Sequence, residues 1–201
     1  MKKFFFSVLI FFGFILLILS LISGYFFLRY KSWEKEFGSE IKAKYLIEKE
    51  ILMNQEFNEK IAEFSLSIED TQYLEFEVQE IGGIIFSVLE SYLGDNFKIE
   101  EMYIEPSNSK WVLYAKVKYQ NFIIWVSTDV NKDEVMGPQV YITDIKVGPF
   151  SVSSFDSNIV NTINTGIGDS IVTLNENGLV GRYIENIELT EESVILKGSR
   201  Y

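Results

Sequence analysis

An uninterrupted apolar stretch near the N-terminus constrains this chain more than any other feature. Residues 4–28, FFFSVLIFFGFILLILSLISGYFFL, carry no charge, and 19 of these 25 residues are Phe, Ile, Leu or Val. As an α-helix the stretch would be roughly 37 Å long, which is enough to cross the hydrocarbon core of a bilayer. Its side chains together favour insertion by on the order of 6–11 kcal/mol. We therefore expect residues 1–28 to form a transmembrane anchor.

The charges beside the anchor predict its orientation. Lys2 and Lys3 precede it, whereas the basic residues that follow it are soon balanced by Glu34 and Glu36. Because positive charge stays on the cytoplasmic side, we expect the N-terminus inside the cytoplasmic membrane and residues 29–201 outside.

A cleaved signal peptide over residues 1–24 is the alternative, since such peptides also begin with basic residues and an apolar run. The run is long for a signal peptide and no A-x-A-like site ends it. These features favour a retained, single-pass anchor.

Composition excludes several functions for the part beyond residue 28. It carries 16 basic side chains (18 less Lys2 and Lys3) and 29 acidic ones, a net charge of −13. Such a charge repels phosphate backbones, so nucleic acid is not an expected partner. The sequence has neither Cys nor His, which removes disulfides, thiol nucleophiles, His-containing triads and imidazole or thiolate metal sites. Chemistry that uses only carboxylates and a Ca²⁺ or Mg²⁺ site built from oxygen ligands stay open. The sequence contains no EF-hand loop and no nucleotide-binding motif, and we expect no cofactor and no metal.

Residues 29–63 predict a helical stalk that continues the anchor and then lies on the folded domain. They contain no Pro, and they carry Glu/Lys pairs four residues apart that support a helix. Apolar residues step at helical spacing from Trp33 to Tyr45 and again from Phe57 to Phe64, with Ile47 and Ile51 between them on a different azimuth. Because no heptad pattern persists, a solvated spacer is favoured over a stalk that associates with itself, which remains the alternative.

The next residues predict a short strand over 64–68 and then a helix that is capped by Asp70 or Thr71 and ended by Gly94-Asp95-Asn96. The apolar stripe of this helix is formed by Leu74, Val78, Ile81, Ile85, Val88 and Tyr92. Further along, an apolar pattern at 155, 159, 163 and 167 predicts a second helix, capped by Ser154 or Asp156. Residues 182–189 and 193–198 predict a closing hairpin around Glu191 and Glu192.

Between the two helices the sequence predicts four antiparallel strands at 97–105, 110–119, 122–130 and 138–147. A two-residue turn at Gln120 and Asn121 sets the register of the middle pair. The opposed residues on one apolar face are then Tyr119/Phe122, Val117/Ile124, Ala115/Val126, Leu113/Thr128 and Trp111/Val130. A four-residue loop at 106–109 would likewise place Ile104 opposite Trp111 and Met102 opposite Leu113.

The other face of these strands is mixed, with Lys116 opposite Trp125 and Lys118 opposite Ile123. We expect the stalk helix to cover it, and Lys116 to contact the Trp125 ring by a cation–π interaction.

This order of elements is α+β, and two phrases within it resemble a known family. They are ITDIKVGPF at residues 142–150 and YIENIELTEESVILKG at residues 183–198. Over about residues 64–200 the chain resembles the YpmS-like family of membrane-anchored extracytoplasmic bacterial proteins, which are similar to tubular lipid-binding (TULIP) domains. For residues 64–201 the resemblance implies a curved antiparallel sheet wrapped on one or two helices, with an apolar groove and no catalytic residues.

The candidate lining of that groove consists of apolar residues on the first helix and on the apolar sheet face. They are Leu74, Val78, Ile81, Ile85, Met102, Leu113, Ala115, Val117, Ile124 and Val126. For each of them, packing in the protein core is the alternative to contact with lipid.

We therefore expect a non-catalytic, membrane-tethered, extracytoplasmic protein that binds or handles an acyl chain of a membrane lipid. The alternative is an envelope scaffold or adaptor that docks another membrane protein. A hydrolase that uses only carboxylates, such as Asp144 with Asp156 or Glu185, is a third and weaker hypothesis, because exposed acidic residues mostly serve solvation.

Overall fold

The computed structural model describes residues 2–41, 44–48, 55–93, 97–152, 157–173, 175–176 and 181–201. The chain forms two compact units, Met1–Glu40 and Ile41–Tyr201. The first unit is a helix, α1 (Lys2–Glu40). Within the described residues, α1 is the one helix long and apolar enough to cross a membrane, which is consistent with a single-pass membrane protein.

The second unit is α+β, as the sequence predicts. Its elements in chain order are β1 (Tyr45–Leu46), α2 (Gln55–Leu66), β2 (Thr71–Glu77), α3 (Val78–Leu93), β3 (Phe97–Ser107), β4 (Lys110–Tyr119), β5 (Phe122–Lys132), β6 (Val140–Val147), β7 (Phe150–Ser151), α4 (Ser157–Thr173), β8 (Arg182–Leu189) and β9 (Ser193–Arg200). The expected second helix and closing hairpin are confirmed as α4 and β8–β9. The two cap candidates for α4, Ser154 and Asp156, lie outside the described residues.

The strands form two antiparallel sheets. Sheet A is the curved, six-stranded sheet with the order β1-β3-β4-β5-β6-β7, and sheet B has the order β2-β9-β8. Sheet A ends at β1 and β7, so it does not close into a barrel. Local irregularities in pairing interrupt β3 between Ile99 and Glu101 and β5 between Thr128 and Val130, and such bulges bend a sheet.

The hairpin β4–β5 has the predicted register. All five predicted apolar pairs are present, from Trp111/Val130 at one end to Tyr119/Phe122 at the turn. Gln120 adopts a φ of 54° in this turn, a left-handed conformation that a tight two-residue connection requires.

The predicted register between β3 and β4 is wrong by two residues. Ile104 lies opposite Leu113 and Met102 opposite Ala115, because β3 continues to Ser107, beyond the predicted end. The connection is therefore a tight turn, in which Ser109 has a φ of 64°. A shift of two residues preserves the side-chain face, so the apolar face remains apolar.

Residues 71–77 form strand β2, whereas their sequence pattern predicts a helix and the pattern at 64–68 predicts the strand. Their side chains alternate, with Leu74 and Phe76 buried and Tyr73 and Glu75 exposed. Pairing along β9 stabilises this extended conformation. Helix α3 starts only at Val78, and residues 64–66 belong to α2.

The predicted continuous stalk over 29–63 also differs from the structure. Tyr45–Leu46 forms β1, which pairs with β3, and Gln55–Leu66 forms the separate helix α2. Ile47 explains the interruption, because its side chain is buried in the main core and its N–H donates to the carbonyl of Met102 at 2.9 Å. Residues 42–43 and 49–54 of the expected stalk lie outside the described residues.

Candidate functional site

Most of the predicted lining residues lie in the main core of the second unit. Six of them pack there together: Val78, Ile81, Ile85, Met102, Leu113 and Ala115. Met102 is 0% exposed, and sheet B contributes Ile184 and Ile187 to the same core. This half of the apolar face of sheet A is therefore filled by side chains of the protein itself.

Leu74 packs in a different cluster from most of the other candidates, and only Ile81 among them packs against both clusters. It belongs to β2 in sheet B and packs in a smaller cluster with Phe64 and Phe76. The prediction grouped Leu74 with the residues of α3 because it assumed one helical stripe. The structure separates it from the face of sheet A.

The remaining three candidates lie on the other half of the apolar face. Val117 pairs with Ile124, and Val126 pairs with Ala115 at the border of the filled half. Val117 is buried, whereas Ile124 and Val126 are half-buried. These three residues are the part of the predicted lining that extends beyond the main core.

Aromatic side chains continue this face to the end of the hairpin. The rings of Phe97 and Tyr119 stack with their centroids 4.6 Å apart, and Phe122 lies opposite Tyr119. Phe122 is 70% exposed. We call the set Val117, Ile124, Val126, Phe97, Tyr119 and Phe122 the distal strip. It combines the buried Val117 with an exposed apolar outer end at Phe122.

Two helices pack on the strands beside the distal strip. Helix α3 contacts β3 and helix α4 contacts β6, and each sends a side chain into the main core, Phe86 from α3 and Ile171 from α4. Both helices also carry apolar side chains that are partly exposed, namely Leu89, Ile159 and Ile163. The strands β4 and β5 thus lie between two helices with unburied apolar surface.

The opposite face of sheet A carries paired charges. Lys116, which we expected over the Trp125 ring, has its Nζ 2.6 Å from Oε1 of Glu101. This hydrogen bond holds the pKa of Glu101 below its usual value. Lys44 pairs in the same way with Glu105. This face therefore combines ion pairs with aromatic side chains, among them Tyr103 and the buried Trp125, whose ring centroids lie 6.0 Å apart.

The carboxylates singled out as candidate hydrolytic groups are engaged in structural interactions. Asp144 accepts a hydrogen bond from Ser151 at 2.8 Å. Lys197 and Ser199 donate to Glu185, which lowers the pKa of that carboxyl. A general acid needs a raised pKa, whereas the pKa of Glu185 is lowered. Asp156 lies outside the described residues.

No group of three or more Asp or Glu side chains placed to hold a metal ion occurs among the described residues.

Arg182, which no sequence motif singles out, is almost fully buried at the start of β8. Its guanidinium donates to the carbonyls of Gly198, Ser67 and Glu69 and lies over the ring of Phe64. These contacts fix the chain before β2 against sheet B. No sequence signal distinguishes a buried arginine with this role from an exposed arginine at the start of a strand.

Comparisons of the chain with protein-family models, with curated proteins and with solved structures found no match. The resemblance to YpmS-like proteins therefore stays a prediction from the sequence.

Proposed function

We propose that this protein is a single-pass, non-catalytic protein of the cytoplasmic membrane whose extracytoplasmic domain binds an acyl chain of a membrane lipid. The distal strip is the observation that carries the proposal. It is apolar from buried Val117 to Phe122, which is 70% exposed, and it lies on the face that the sequence predicted to be lipid-lining. The resemblance to YpmS-like proteins supports the same function.

The size of the distal strip suits a segment of one acyl chain. From Val126 to Phe122 it covers four residue steps, or about 13 Å of strand. Each buried CH₂ of a ligand would contribute about 0.8 kcal/mol. The domain is strongly acidic, so attraction to anionic headgroups would not supply the affinity. Apolar contact would be the source of binding.

The proposed orientation of the anchor would put this strip outside the cytoplasm. Lys2 and Lys3 lie before the apolar run, and the positive-inside rule keeps them in the cytoplasm. The candidate membrane helix supports a single span. Residues 29–201 would then be held at the outer surface of the membrane, where lipid is available.

Photo-crosslinking tests this function. The full chain is reconstituted in nanodiscs of phosphatidylcholine that contain a phosphatidylcholine with a diazirine in its acyl chain, and the labelled peptides are identified by mass spectrometry. We expect labelling in residues 112–132 in addition to α1. The variants Phe122→Ser and Ile124→Ser should each reduce it, because they remove apolar contacts with the chain.

Val135→Ser is the matched control, because Val135 is 92% exposed in the loop between β5 and β6 and lies outside the distal strip. It should leave labelling of residues 112–132 unchanged. Labelling restricted to α1, or equal in all variants, would refute the function.

A different surface favours a second role, the docking of another membrane protein. Strand β2 is an outer strand of sheet B and bears the exposed residues Tyr73 and Glu75. An outer strand can pair with a strand from a partner.

A further inference from the structure

We propose that the outer edge of β2 binds an extended, basic segment of another protein by strand addition. This inference names the surface and the partner chemistry for the second role above. It uses residues outside the distal strip, so it stands or falls independently of acyl-chain binding.

The hydrogen bonds at the two ends of β2 define its open edge. Arg200 N–H donates to the Asp70 carbonyl at 3.0 Å, and Val78 N–H donates to the Glu192 carbonyl at 3.2 Å. Both pairs extend the β2–β9 register by one residue at either end, and both are hydrogen-bonded pairs at even-numbered positions. In an antiparallel pair, alternate residues bond to the partner strand. The even-numbered residues of β2 therefore bond to β9, and the odd-numbered residues direct their N–H and C=O groups outward.

Two residues supply the outward main-chain groups in the middle of the strand. Within the part of the chain that the structure describes, the N–H and C=O groups of Tyr73 and Glu75 have no protein partner on the outer side. Glu77 differs, because its N–H donates to the side chain of Glu80 at 2.9 Å. The spacing of Tyr73 and Glu75 matches the two-residue repeat with which an added antiparallel strand forms hydrogen bonds.

A groove runs beside this open edge and leaves room for a guest strand. It consists of two adjoining clefts of about 560 and 200 Å³, which share Lys60 of α2 and Glu75 of β2. Tyr73 and Leu74 line one end, and Gln79 lines the other. We call this feature the β2 groove.

The charge of the β2 groove selects a basic guest. Its acidic lining residues are Glu63, Glu75, Glu77 and Glu192. Its basic lining residue Lys60 is paired with Glu80 at 2.7 Å. Glu75 and Glu77 project from the same face, two residues apart. A guest with Lys or Arg at alternate positions would place a cation opposite each of these carboxylates.

A second copy of this chain is a poor guest for the same edge. Pairing of two β2 strands would bring their Glu75 and Glu77 side chains into opposed positions, and like charges across strands are destabilising. Charged residues on an outer strand also discourage such self-pairing. The observations therefore favour a different, basic protein.

Binding of a designed peptide to the full chain in detergent micelles tests the inference. The probe is a fluorescein-labelled peptide of alternating lysine and valine, measured by fluorescence anisotropy at low ionic strength. We expect saturable binding that is absent for the matched peptide of alternating glutamate and valine. Tyr73→Pro removes one outward N–H and leaves the bonds to β9 intact, so it should weaken binding by about threefold to tenfold.

Charge variants and N-methylated peptides complete the test. Glu75→Gln and Glu77→Gln should each weaken binding, whereas Glu134→Gln, in an exposed loop outside the groove, should not. Two further peptides carry N-methyl groups on alternate amides. In one peptide the methylated amides are those that would face β2, and in the other they are those that would face away from it. Only the peptide that is methylated on the amides facing β2 should lose affinity. Because this comparison uses the native chain, it tests the inference even if Tyr73→Pro fails to fold.

Equal binding of both N-methylated peptides would show charge attraction without strand addition and would overturn the inference. Absence of binding to the lysine peptide would also overturn it, and would leave Glu75 and Glu77 as residues that only protect the edge. Neither result would affect the photo-crosslinking of the distal strip.

Discussion

The side-chain amide of Asn164 forms the two main-chain hydrogen bonds that a neighbouring strand would form with Ile142. Its Oδ1 accepts from the Ile142 N–H at 2.8 Å, and its Nδ2 donates to the Ile142 carbonyl at 2.9 Å. Ile142 lies on β6, whose outer partner β7 pairs only with Lys146 and Val147. Helix α4 therefore covers a stretch of the sheet edge that β7 leaves open.

Asn164→Ala should lower the free energy of unfolding by about 2–3 kcal/mol, because two main-chain groups of largely buried Ile142 lose their partners. Urea denaturation of the full chain in detergent micelles, followed by tryptophan fluorescence, measures the change. Asn161→Ala, at an exposed position of the same helix, is the control and should have little effect. Equal effects of the two substitutions would contradict the strand-like role of Asn164.

Two glycines provide a matched pair for a packing prediction. A Cβ on Gly198 would lie 2.3 Å from the Phe64 ring, whereas a Cβ on Gly166 of α4 would meet no atom within 4 Å. Gly198→Ala should destabilise the domain by about 1–3 kcal/mol, because a buried ring must move. Gly166→Ala should stabilise it by about 0.5–1 kcal/mol, since alanine favours a helix. Thermal unfolding of both variants checks the opposite signs.

Substitutions of Arg182 test whether the shape of its guanidinium group, and not only its positive charge, stabilises the fold. Its guanidinium satisfies three carbonyls at once, and its Nε has no hydrogen-bond partner among the described residues. Arg182→Met should cost about 1–3 kcal/mol through the loss of these bonds. Arg182→Lys should cost at least as much, because a compact ammonium cannot replace the planar fork that reaches three carbonyls. A lysine variant as stable as the native chain in urea denaturation would contradict this.

The sequence predicted those elements whose local pattern and tertiary environment agree. The hairpin β4–β5 follows from alternating apolar residues and a two-residue turn, so even its register was predictable. Strand β2 was not recognised, because Leu74, Val78 and Ile81 also fit a helical period, and only the pairing with β9 decides between the two. Ile47 interrupted the expected stalk for the same reason, since its burial depends on β3 and α3.

The candidate site was predictable in part. Alternation along β4 and β5 indicated which residues share a face, and the structure places them there. It could not indicate where sheet B would cover that face, because the core that holds Met102 and Leu113 also includes residues of β8 and β9, which lie far away in the chain. The open edge at Tyr73 and Glu75 could not be predicted from the sequence for a related reason, since it depends on the strand order of sheet B.

The ion pairs on the outer face of sheet A predict a dependence of stability on pH. Hydrogen bonds from Lys116 and Lys44 lower the pKa values of Glu101 and Glu105. Carboxyls with lowered pKa values stabilise the folded state above the pKa of the unfolded chain, about 4.3, and this contribution is lost as the pH falls through the folded-state pKa. Stability should therefore decrease as the pH falls below about 5.

The size of this effect is limited by solvent. The side chains of Glu101 and Glu105 are 37% and 47% exposed, so each pair should contribute no more than about 1 kcal/mol, and less at high salt. Urea denaturation between pH 7 and acidic pH should show a shallower pH dependence for Glu101→Gln and Glu105→Gln than for the native chain. Glu134→Gln, in an exposed loop, serves as the control. If stability depended on pH as steeply in both variants as in the native chain, the ion pairs would not be maintained in solution.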